Sequence, residues 1–304
     1  MTLDIDVINA AKTSKFVPSD ALVAIPGPAT ADVLRLDEIH PVVSGNKWYK
    51  LKYNIDRAHQ LGATHLLSCG GPHSNHLHAL ASAGQYFGFK VTAFVRGYEN
   101  LPLTPTLEDC AAMGMEMVFV DKKTYQNRYD PSWCQYQADS YQAYWIAEGG
   151  NNVQGQRGCA EIAKACLGYD EVWLSIGSGC TFSGVAQALR GHCFIRGVMA
   201  IKGGESLGQQ LLAELGKHSK EYASIDYQSH LGGFGRCPQE LIELIKCHDA
   251  LGLPLDPVYT GKLVMAFEKA WLQGELDNNK RYLLIHSGGL QGRRGVKELS
   301  EYLP

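Results

Sequence analysis

The sequence has no excess of positive charge, no long apolar run and no closely spaced cysteine pair. Its net charge is −3, so no basic surface argues for binding to nucleic acid. No run of about 18 or more apolar residues occurs, which argues against a membrane span. Residues 1–16 lack the basic and then apolar order that is typical of a secretory signal, so we expect none.

The nine cysteines are scattered along the chain without a CxxC pair. An odd and unpatterned set in 304 residues is typical of reduced thiols, so we expect a cytoplasmic protein whose cysteines mostly fill the core. The length fits one or two domains.

Three segments share one layout, in which a short apolar run leads into clustered glycines. The runs are HLLSC at 65–69, EVWLSI at 171–176 and YLLIH at 282–286. Short strands of this kind that alternate with helices predict βαβ units. Glycine is needed where a strand turns sharply into a helix or where a ligand approaches the backbone. We therefore expect an α/β fold with helices on both faces of mostly parallel, twisted sheets.

The rest of the pattern supplies further elements. Strands are expected at 90–95, 116–120 and 195–201, and helices at 47–61, 74–87, 104–113, 155–167, 182–189, 206–217, 238–251 and 261–273. Residues 123–145 are rich in Tyr, Gln and Trp, and we expect them to cover one edge of a domain, with a lid or a dimer contact as alternatives. No repeat and no low-complexity linker occurs, so two domains would be interleaved in the sequence.

One lysine, Lys47, directly follows a Gly-Asn turn and begins a predicted helix. The helix dipole disfavours positive charge at that end, so a structural lysine gains nothing there. Desolvation or a nearby cation lowers the pKa of a lysine and frees its amine to attack an aldehyde. A solvated lysine in the first turn is the alternative interpretation. Lys50 and Lys52 are better suited to surface or phosphate-facing positions.

The loop before the second predicted helix is a candidate anion site. Ser74 is suited to cap this helix, and the free N–H groups at such a start bind carboxylate or phosphate. Asn75 can donate an amide hydrogen to an oxyanion. Simple capping without a ligand is the alternative.

A second candidate anion site is GSGCT at 177–181. Phe182 stands where the third glycine of a dinucleotide fingerprint would be, and no GK[ST] follows as in a Walker loop. A short set of N–H groups with one hydroxyl suits a single phosphate monoester, such as that of pyridoxal phosphate.

His73, His76 and His78 raise the question of a metal. Their spacing directs His78 away from the other two on a helix, and no carboxylate or thiolate completes a set. We therefore expect no metal, and we place His76 beside a substrate site. Tyr259 stands in a turn before a helix, within DPVYTGK, where a lone tyrosine is usually structural.

The chain resembles the pyridoxal-phosphate enzymes grouped as aminocyclopropane-carboxylate (ACC) deaminases and D-cysteine desulfhydrases. The matching stretches are GNKWYKLKYN, CGGPHSNH, EGGNNVQGQRGC, GSGCTFSG, DPVYTGK and HSGGLQG, in the family's order across residues 44–292. The resemblance implies the fold type II, tryptophan-synthase β-like architecture of two three-layer αβα domains. A large cofactor-binding domain would comprise 1–47 and 150–304, a small domain 48–149, and the active site would lie in the cleft between them.

The resemblance also implies roles for individual residues. Lys47 would form a Schiff base with the cofactor and act as catalytic base, with Ser74 and Tyr259 as the other catalytic residues. The ring oxygen would meet Asn75. The substrate would contact Ser74, Asn75, His76, Tyr259 and Phe234. The remaining cofactor contacts would be the phosphate-binding Gly177, Ser178, Gly179, Cys180 and Thr181, and Thr260 and Ser287 near the pyridine nitrogen.

Departures from the family pattern favour one branch. The deaminase branch has glutamate where Thr260 stands, leucine where Ser287 stands and tyrosine where Phe234 stands. A hydroxyl near the ring nitrogen makes a weaker electron sink than a carboxylate, which fits β-elimination of a good leaving group. The desulfhydrase branch usually has tyrosine at 234 too, and an arginine common in the family is missing after Lys47.

We therefore predict a lyase that converts D-cysteine to pyruvate, sulfide and ammonia. The alternative within the class is ACC deaminase, which yields 2-oxobutanoate and ammonia. The alternative from another class is a phosphate-ligand binding protein without lysine chemistry. The predicted partner is a small amino acid, and the resemblance suggests a homodimer.

Overall fold

The computed structural model describes residues 11–19, 27–28, 30–40, 43 and 45–300. Its strands are β1 (Lys12–Lys15), β2 (Thr30–Arg35), β3 (His65–Gly70), β4 (Lys90–Arg96), β5 (Glu116–Val120), β6 (Tyr144–Trp145), β7 (Glu171–Ile176), β8 (Phe194–Met199), β9 (Ala223–Asp226) and β10 (Arg281–His286).

Its α-helices are α1 (Asn46–Gln60), α2 (Asn75–Phe87), α3 (Pro105–Ala112), α4 (Lys122–Gln126), α5 (Pro131–Tyr141), α6 (Val153–Ala160), α7 (Ala163–Cys166), α8 (Cys180–Ala188), α9 (Glu205–Glu214), α10 (Gln239–Ala250) and α11 (Thr260–Leu272). Short 3-10 segments occur at Leu36–Glu38, Asn127–Tyr129, Glu148–Gly150, Ser219–Glu221, Leu290–Gly295 and Lys297–Leu299.

The strands form two sheets. One has six strands in the order β1-β2-β10-β7-β8-β9, and the other has four in the order β5-β4-β3-β6. Only the β1–β2 pair among the described strands is antiparallel. The predicted fold class, α/β with mostly parallel sheets, is confirmed. The first sheet takes strands from both ends of the chain and the second from its middle.

Most predicted elements agree with the structure to within two residues. Gly62, at φ +67°, follows the C-cap residue Leu61 of α1, as expected of a glycine after a helix. Helix α8 begins at Cys180, two residues before its predicted start, because Gly179 at φ +86° turns the chain directly into the helix. The helix predicted at 155–167 is divided into α6 and α7.

The 123–145 region, predicted to cover an edge, contains two helices that the sequence did not indicate, α4 and α5. Trp133 and Tyr141 of α5 pack with Phe94 of β4, so the region covers one face of the four-stranded sheet. Pro131 at the first turn and the Asp130 side chain, which accepts a hydrogen bond from Ser132 N, account for the start of α5. Because α5 packs mainly through aromatic rings on one side, its sequence lacks the regular apolar spacing that would have predicted a helix.

Helix α1 lies between the two sheets. A Cβ atom on Gly158 of α6 would lie 1.8 Å from the backbone oxygen of Tyr49, so the backbones of α6 and α1 are in close contact. One apolar cluster joins Leu66 of β3, Ile55 of α1 and Leu174 of β7. The shared core holds the carboxyl ends of both sheets in fixed positions around the start of α1.

Candidate active site

The site begins where α1 meets the end of β10. Gly45 adopts φ +69°, and a Cβ atom there would lie 2.2 Å from the Ser287 carbonyl oxygen. The Asn46 backbone N–H donates to the same oxygen across 3.1 Å. Only glycine allows this approach, which places Lys47 beside the loop that follows β10. The Gly-Asn pair therefore has a tertiary role as well as a local one.

Lys47 is held in a network of side chains. Its Nζ atom donates to Asn46 Oδ1 across 2.8 Å, and Asn46 Nδ2 donates to Thr181 Oγ1 across 3.0 Å. Burial, and secondly the positive charge of Lys50, lower the pKa of Lys47 to about 7. A substantial fraction of the amine is therefore neutral near pH 7, as a nucleophile or base requires.

The loop between β7 and α8 has the form of an anion cradle. The Ser178 hydroxyl is buried and has no hydrogen-bond partner within the described part of the chain. The Cys180 thiol donates to the Gly150 carbonyl across 3.3 Å, so Cys180 offers its backbone N–H and not its sulfur. The first N–H groups of α8 lack helical acceptors. A buried hydroxyl and free N–H groups together fit a phosphate monoester.

Lys50 faces the same cradle from α1. The residue is 4% exposed, and its side chain makes no hydrogen bond or ion pair to any described residue. A Cβ atom on Gly150 would lie 3.0 Å from Lys50 Cβ, which puts the lysine stem under the loop that contacts Cys180. An ammonium without a counter-ion at this position can bind an anion. The sequence had suggested a surface or phosphate-facing position, and the spacing of three residues from Lys47 was the signal for the same helix face.

Ser74 caps α2 as predicted. Its hydroxyl oxygen accepts a hydrogen bond from Leu77 N across 3.2 Å, and its own proton has no acceptor among the described residues. Helix α2 has 13 residues and begins at Asn75. Asn75 Oδ1 accepts a hydrogen bond from Gln291 Nε2 across 3.0 Å. The α2 start therefore keeps a hydroxyl proton, backbone N–H groups and one side-chain amide nitrogen for a ligand.

His76 is 2% exposed and has a fixed tautomer. Ser68 donates its only proton to the Ile146 carbonyl, across 2.7 Å, so its oxygen accepts from His76 Nε2 across 2.9 Å. His76 Nδ1 is buried and unpartnered within the described residues. Burial, followed by the charges of Lys47 and Lys50, lowers the pKa of His76 to about 3. His76 is therefore a neutral imidazole with an acceptor at Nδ1.

Tyr259 contacts the loop at 177–181, between β7 and α8. A Cβ atom on Gly177 would lie 2.9 Å from Tyr259 Cε1 and 3.1 Å from its hydroxyl oxygen. Burial, with smaller effects of Asp256 and Glu148, raises the pKa of Tyr259 above its usual range, so the phenol keeps its proton. The Phe234 ring meets the Tyr259 ring edge to face, with centroids 5.7 Å apart. Both aromatic residues that the resemblance assigned to the substrate thus lie together.

The hydroxyls of Thr260 and Ser287 differ in availability. The fully buried Asp256 carboxylate accepts from the backbone N–H groups of residues 258–260 and from the Thr260 hydroxyl. The Thr260 hydroxyl proton is therefore committed to Asp256. Ser287 Oγ makes no hydrogen bond to any residue that the structure describes. Ser287 can donate to a ligand, whereas Thr260 can only accept.

The neighbouring histidines have separate surroundings. His78 Nε2 pairs with Asp109 across 3.1 Å, and His73 is exposed. Among residues 11–19, 27–28, 30–40, 43 and 45–300, no group of three or more His, Cys, Asp or Glu side chains is arranged to hold a metal.

No helix in the same described ranges has the length and apolar character needed to cross a bilayer.

The sequence of the chain matches a family model described as pyridoxal-phosphate dependent enzyme over residues 15–288. A Pyrococcus furiosus protein with the provisional name 1-aminocyclopropane-1-carboxylate deaminase is 28% identical over 273 residues, or 82% of each chain. A Klebsiella pneumoniae protein named D-cysteine desulfhydrase is 25% identical over 281 residues, which are 84% of this chain and 86% of that protein.

Solved structures show the same fold. The crystal structure of an ACC deaminase homologue superposes with a TM-score of 0.74 at 23% identity, covering 97% of this chain and 98% of that one. A hydrogen sulfide-producing enzyme from Fusobacterium nucleatum superposes with a TM-score of 0.61 at 14% identity, covering 95% and 99%.

Proposed function

The chain belongs to the family of pyridoxal-phosphate dependent enzymes, and we propose that it is a lyase acting on a small amino acid, with D-cysteine as the first candidate. Family membership confirms that the chain is an enzyme and that its cofactor is pyridoxal phosphate. When bound, this cofactor supplies an electron sink for bonds broken at an amino-acid Cα. The observation that carries the proposal is Lys47, with its pKa of about 7, between the cradle at 177–181 and the start of α2.

We assign the cofactor contacts as follows. Lys47 would hold the aldehyde carbon, and Asn75 would donate to the ring oxygen. The phosphate would be held by the N–H groups and the hydroxyl of residues 177–181 and by Lys50, whose ammonium has no counter-ion among the described residues. Ser287 would donate to the pyridine nitrogen, since the Thr260 proton is committed to Asp256.

The substrate contacts come mainly from the start of α2. The Ser74 hydroxyl proton and the free N–H groups of α2 would bind the carboxylate, where the helix dipole favours negative charge. The bare Nδ1 of His76 can accept a hydrogen bond from a substrate N–H group. Phe234 and Tyr259 would form the wall on the opposite side.

Two side chains can move protons. Lys47 Nζ would take the Cα proton of a bound amino acid, because an amine with a pKa near 7 is an effective base at neutral pH. Tyr259 keeps its phenol proton and can donate it to a departing group. Their fixed positions orient the bond to be broken, which lowers the entropy cost of reaching the transition state.

A hydroxyl near the ring nitrogen supports the desulfhydrase over the deaminase. Ser287 offers a neutral donor, which leaves the ring less positively charged than a carboxylate neighbour would. That weaker sink suits loss of sulfide, a good leaving group. ACC deaminase remains the second candidate, because relatives of similar identity carry that name.

The decisive experiment combines cofactor trapping with a substrate screen. Borohydride should fix the cofactor on Lys47, identified by peptide mass, and Lys47→Ala should abolish the label. Keto-acid release is then compared for D-cysteine, L-cysteine and ACC. Release of pyruvate and sulfide from D-cysteine supports the first proposal, and release of 2-oxobutanoate from ACC supports the second. Turnover of neither would reject both substrates.

The assembly, location and domain limits are part of the proposal. We propose a homodimer in the cytoplasm, and the nine free thiols, all in the described residues, support a reducing compartment. The proposed large domain is 1–47 with 150–304, and the small domain is 48–149. Light scattering on the purified protein tests the dimer, and a monomer mass would reject it.

A further inference from the structure

We propose that Gln291 is a positioning residue that orients the Asn75 amide so that its N–H groups face the cofactor. The proposal rests on the function proposed above, in which Asn75 meets the ring oxygen of pyridoxal phosphate. Gln291 itself touches neither the cofactor nor the substrate in this assignment. Its effect would pass through a single hydrogen bond.

That hydrogen bond connects the loop after β10 with the start of α2. Gln291 lies in the 3-10 segment Leu290–Gly295, and Asn75 is the first residue of α2. The Gln291 Nε2 atom donates to Asn75 Oδ1 across 3.0 Å. The two residues are 216 positions apart, so only the fold brings them together.

The other end of the Asn75 amide lies against Gly289. This glycine adopts φ +94°, and a Cβ atom on it would lie 2.5 Å from Asn75 Nδ2. Any other residue at 289 would displace the amide nitrogen. Nδ2 has no hydrogen-bond acceptor in the described part of the chain and is not sealed from solvent. The nitrogen end of the amide is thus available to a ligand.

An amide has one accepting end and one donating end, and Gln291 decides which of them the ligand meets. Because Gln291 donates to the oxygen, the nitrogen is left for the cofactor. A glutamate at 291 could only accept, so it would favour the opposite orientation of Asn75. The Asn75 oxygen would then face the negatively charged ring oxygen, and a charge-assisted hydrogen bond would become a repulsion.

The test compares Gln291→Glu and Gln291→Leu with the wild type. Glutamate should weaken binding of pyridoxal phosphate to the apoprotein about tenfold or more, the loss expected for a hydrogen bond to a charged group. Leucine should weaken it less, because it removes the donor without imposing the reverse orientation. With either variant, the pH midpoint of the visible band of the bound cofactor should rise, since the ring oxygen loses a donor that stabilises its negative charge.

A double-mutant cycle separates positioning from a general structural effect. Gln291→Glu should have no further effect on cofactor affinity in an Asn75→Ala background. Gln209→Glu, an exposed change of the same chemistry on α9, serves as the matched control and should bind cofactor like the wild type. Thermal unfolding of each apoprotein detects variants that do not fold, and Gln291→Leu, which adds no charge, then supplies the test.

Two results would overturn the inference. One is wild-type affinity and an unchanged midpoint in Gln291→Glu. The other is an equal loss of affinity in the presence and absence of the Asn75 side chain. Failure of the wild type to bind the cofactor on Lys47 would instead reject the proposed function, so the two failures are distinguishable.

Discussion

Thr260 and Asp256 share a reciprocal pair of hydrogen bonds. The Thr260 hydroxyl donates to Asp256 Oδ1 across 2.7 Å and accepts from the Asp256 backbone N–H across 2.7 Å. Both side chains are almost fully buried. The threonine hydroxyl is therefore a structural group, and the other hydroxyl assigned to the ring nitrogen, that of Ser287, is the available donor.

The two hydroxyls should respond differently to mutation. Thr260→Val should lower the free energy of unfolding of the apoprotein by about 1–3 kcal/mol, because it leaves a buried N–H group without an acceptor. Ser287→Ala should leave that free energy near the wild-type value and weaken cofactor binding roughly threefold to tenfold, the loss of one neutral hydrogen bond. Urea unfolding and cofactor titration measure the two effects. A stable Thr260→Val protein with weakened cofactor binding would reverse the assignment.

The charge of Lys50 should control the reactivity of Lys47. Lys50 is the second cause, after burial, of the lowered pKa of Lys47, so Lys50→Met should raise that pKa by roughly half a unit to one unit. The neutral amine forms above the pKa, so the rate at which the apoprotein reacts with pyridoxal should rise with pH through about 7 in the wild type. In the variant this rise should occur at higher pH.

Growth of the visible band between pH 5 and pH 9 measures this shift. Pyridoxal without its phosphate is the appropriate probe, because Lys50 is also assigned to the phosphate. Lys164→Met, an exposed substitution on α7, is the matched control. A profile that does not move in Lys50→Met would mean that burial alone sets the reactivity of Lys47.

Arg294 should hold the loop after β10 against helix α3. Its guanidinium pairs with Asp109 of α3 through both carboxylate oxygens, one of them at 3.2 Å, and His78 contacts the same carboxylate. The pair is partly exposed, so Arg294→Met should reduce stability at pH 7 by roughly 1 kcal/mol or less. The matched exposed pair is Lys90–Glu116, where Lys90→Met should change stability less.

The sign of the pH dependence follows from Asp109. The Arg294 hydrogen bond is the largest cause of its lowered pKa, so the pair contributes stability above the unfolded pKa, near 4, and loses it as pH falls. The stability difference between wild type and Arg294→Met should therefore shrink below about pH 4. Urea unfolding at several pH values measures it, and a constant difference would assign the effect to packing.

Lys262 should fix the loop that carries Phe234. Its Nζ atom is buried and donates to the carbonyls of His230 and Gly233 across 2.8 and 2.7 Å. Lys262→Met leaves both carbonyls without this donor, which costs about 1–3 kcal/mol if they stay buried, so the loop should open more often. Tryptic cleavage after the exposed Arg236 should accelerate, as read by mass spectrometry.

Substrate affinity provides a second readout for Lys262→Met. Phe234 packs on Tyr259 from this loop, so KM should rise more than kcat falls. Lys164→Met again serves as the control, and its cleavage rate after Arg236 should match that of the wild type. Wild-type cleavage and KM in Lys262→Met would show that the loop needs no such anchor.

Much of the fold could be predicted from local patterns in the sequence. The runs at 65–69, 171–176 and 282–286 are buried strands because continuous apolar sequence between glycine turns suits a parallel sheet covered on both faces. The α5 helix was missed, because its contacts are aromatic rings of a neighbouring strand and its own period is weak. Strands β1, β2, β6 and β9 were missed as well. Of these, β1, β6 and β9 are short edge strands, which are defined by their pairing partners.

The sequence by itself determined the residue types of the site and their order. Lys47 behind a Gly-Asn turn, Ser74 at a helix start and the glycine loop at 177–181 each require only local geometry and short-range chemistry. The tertiary structure alone decided which groups remain free for ligands. Thr260 is committed to Asp256, and Asn75 is oriented by Gln291, 216 residues away, because hydrogen-bond partners in a folded core are chosen by spatial proximity.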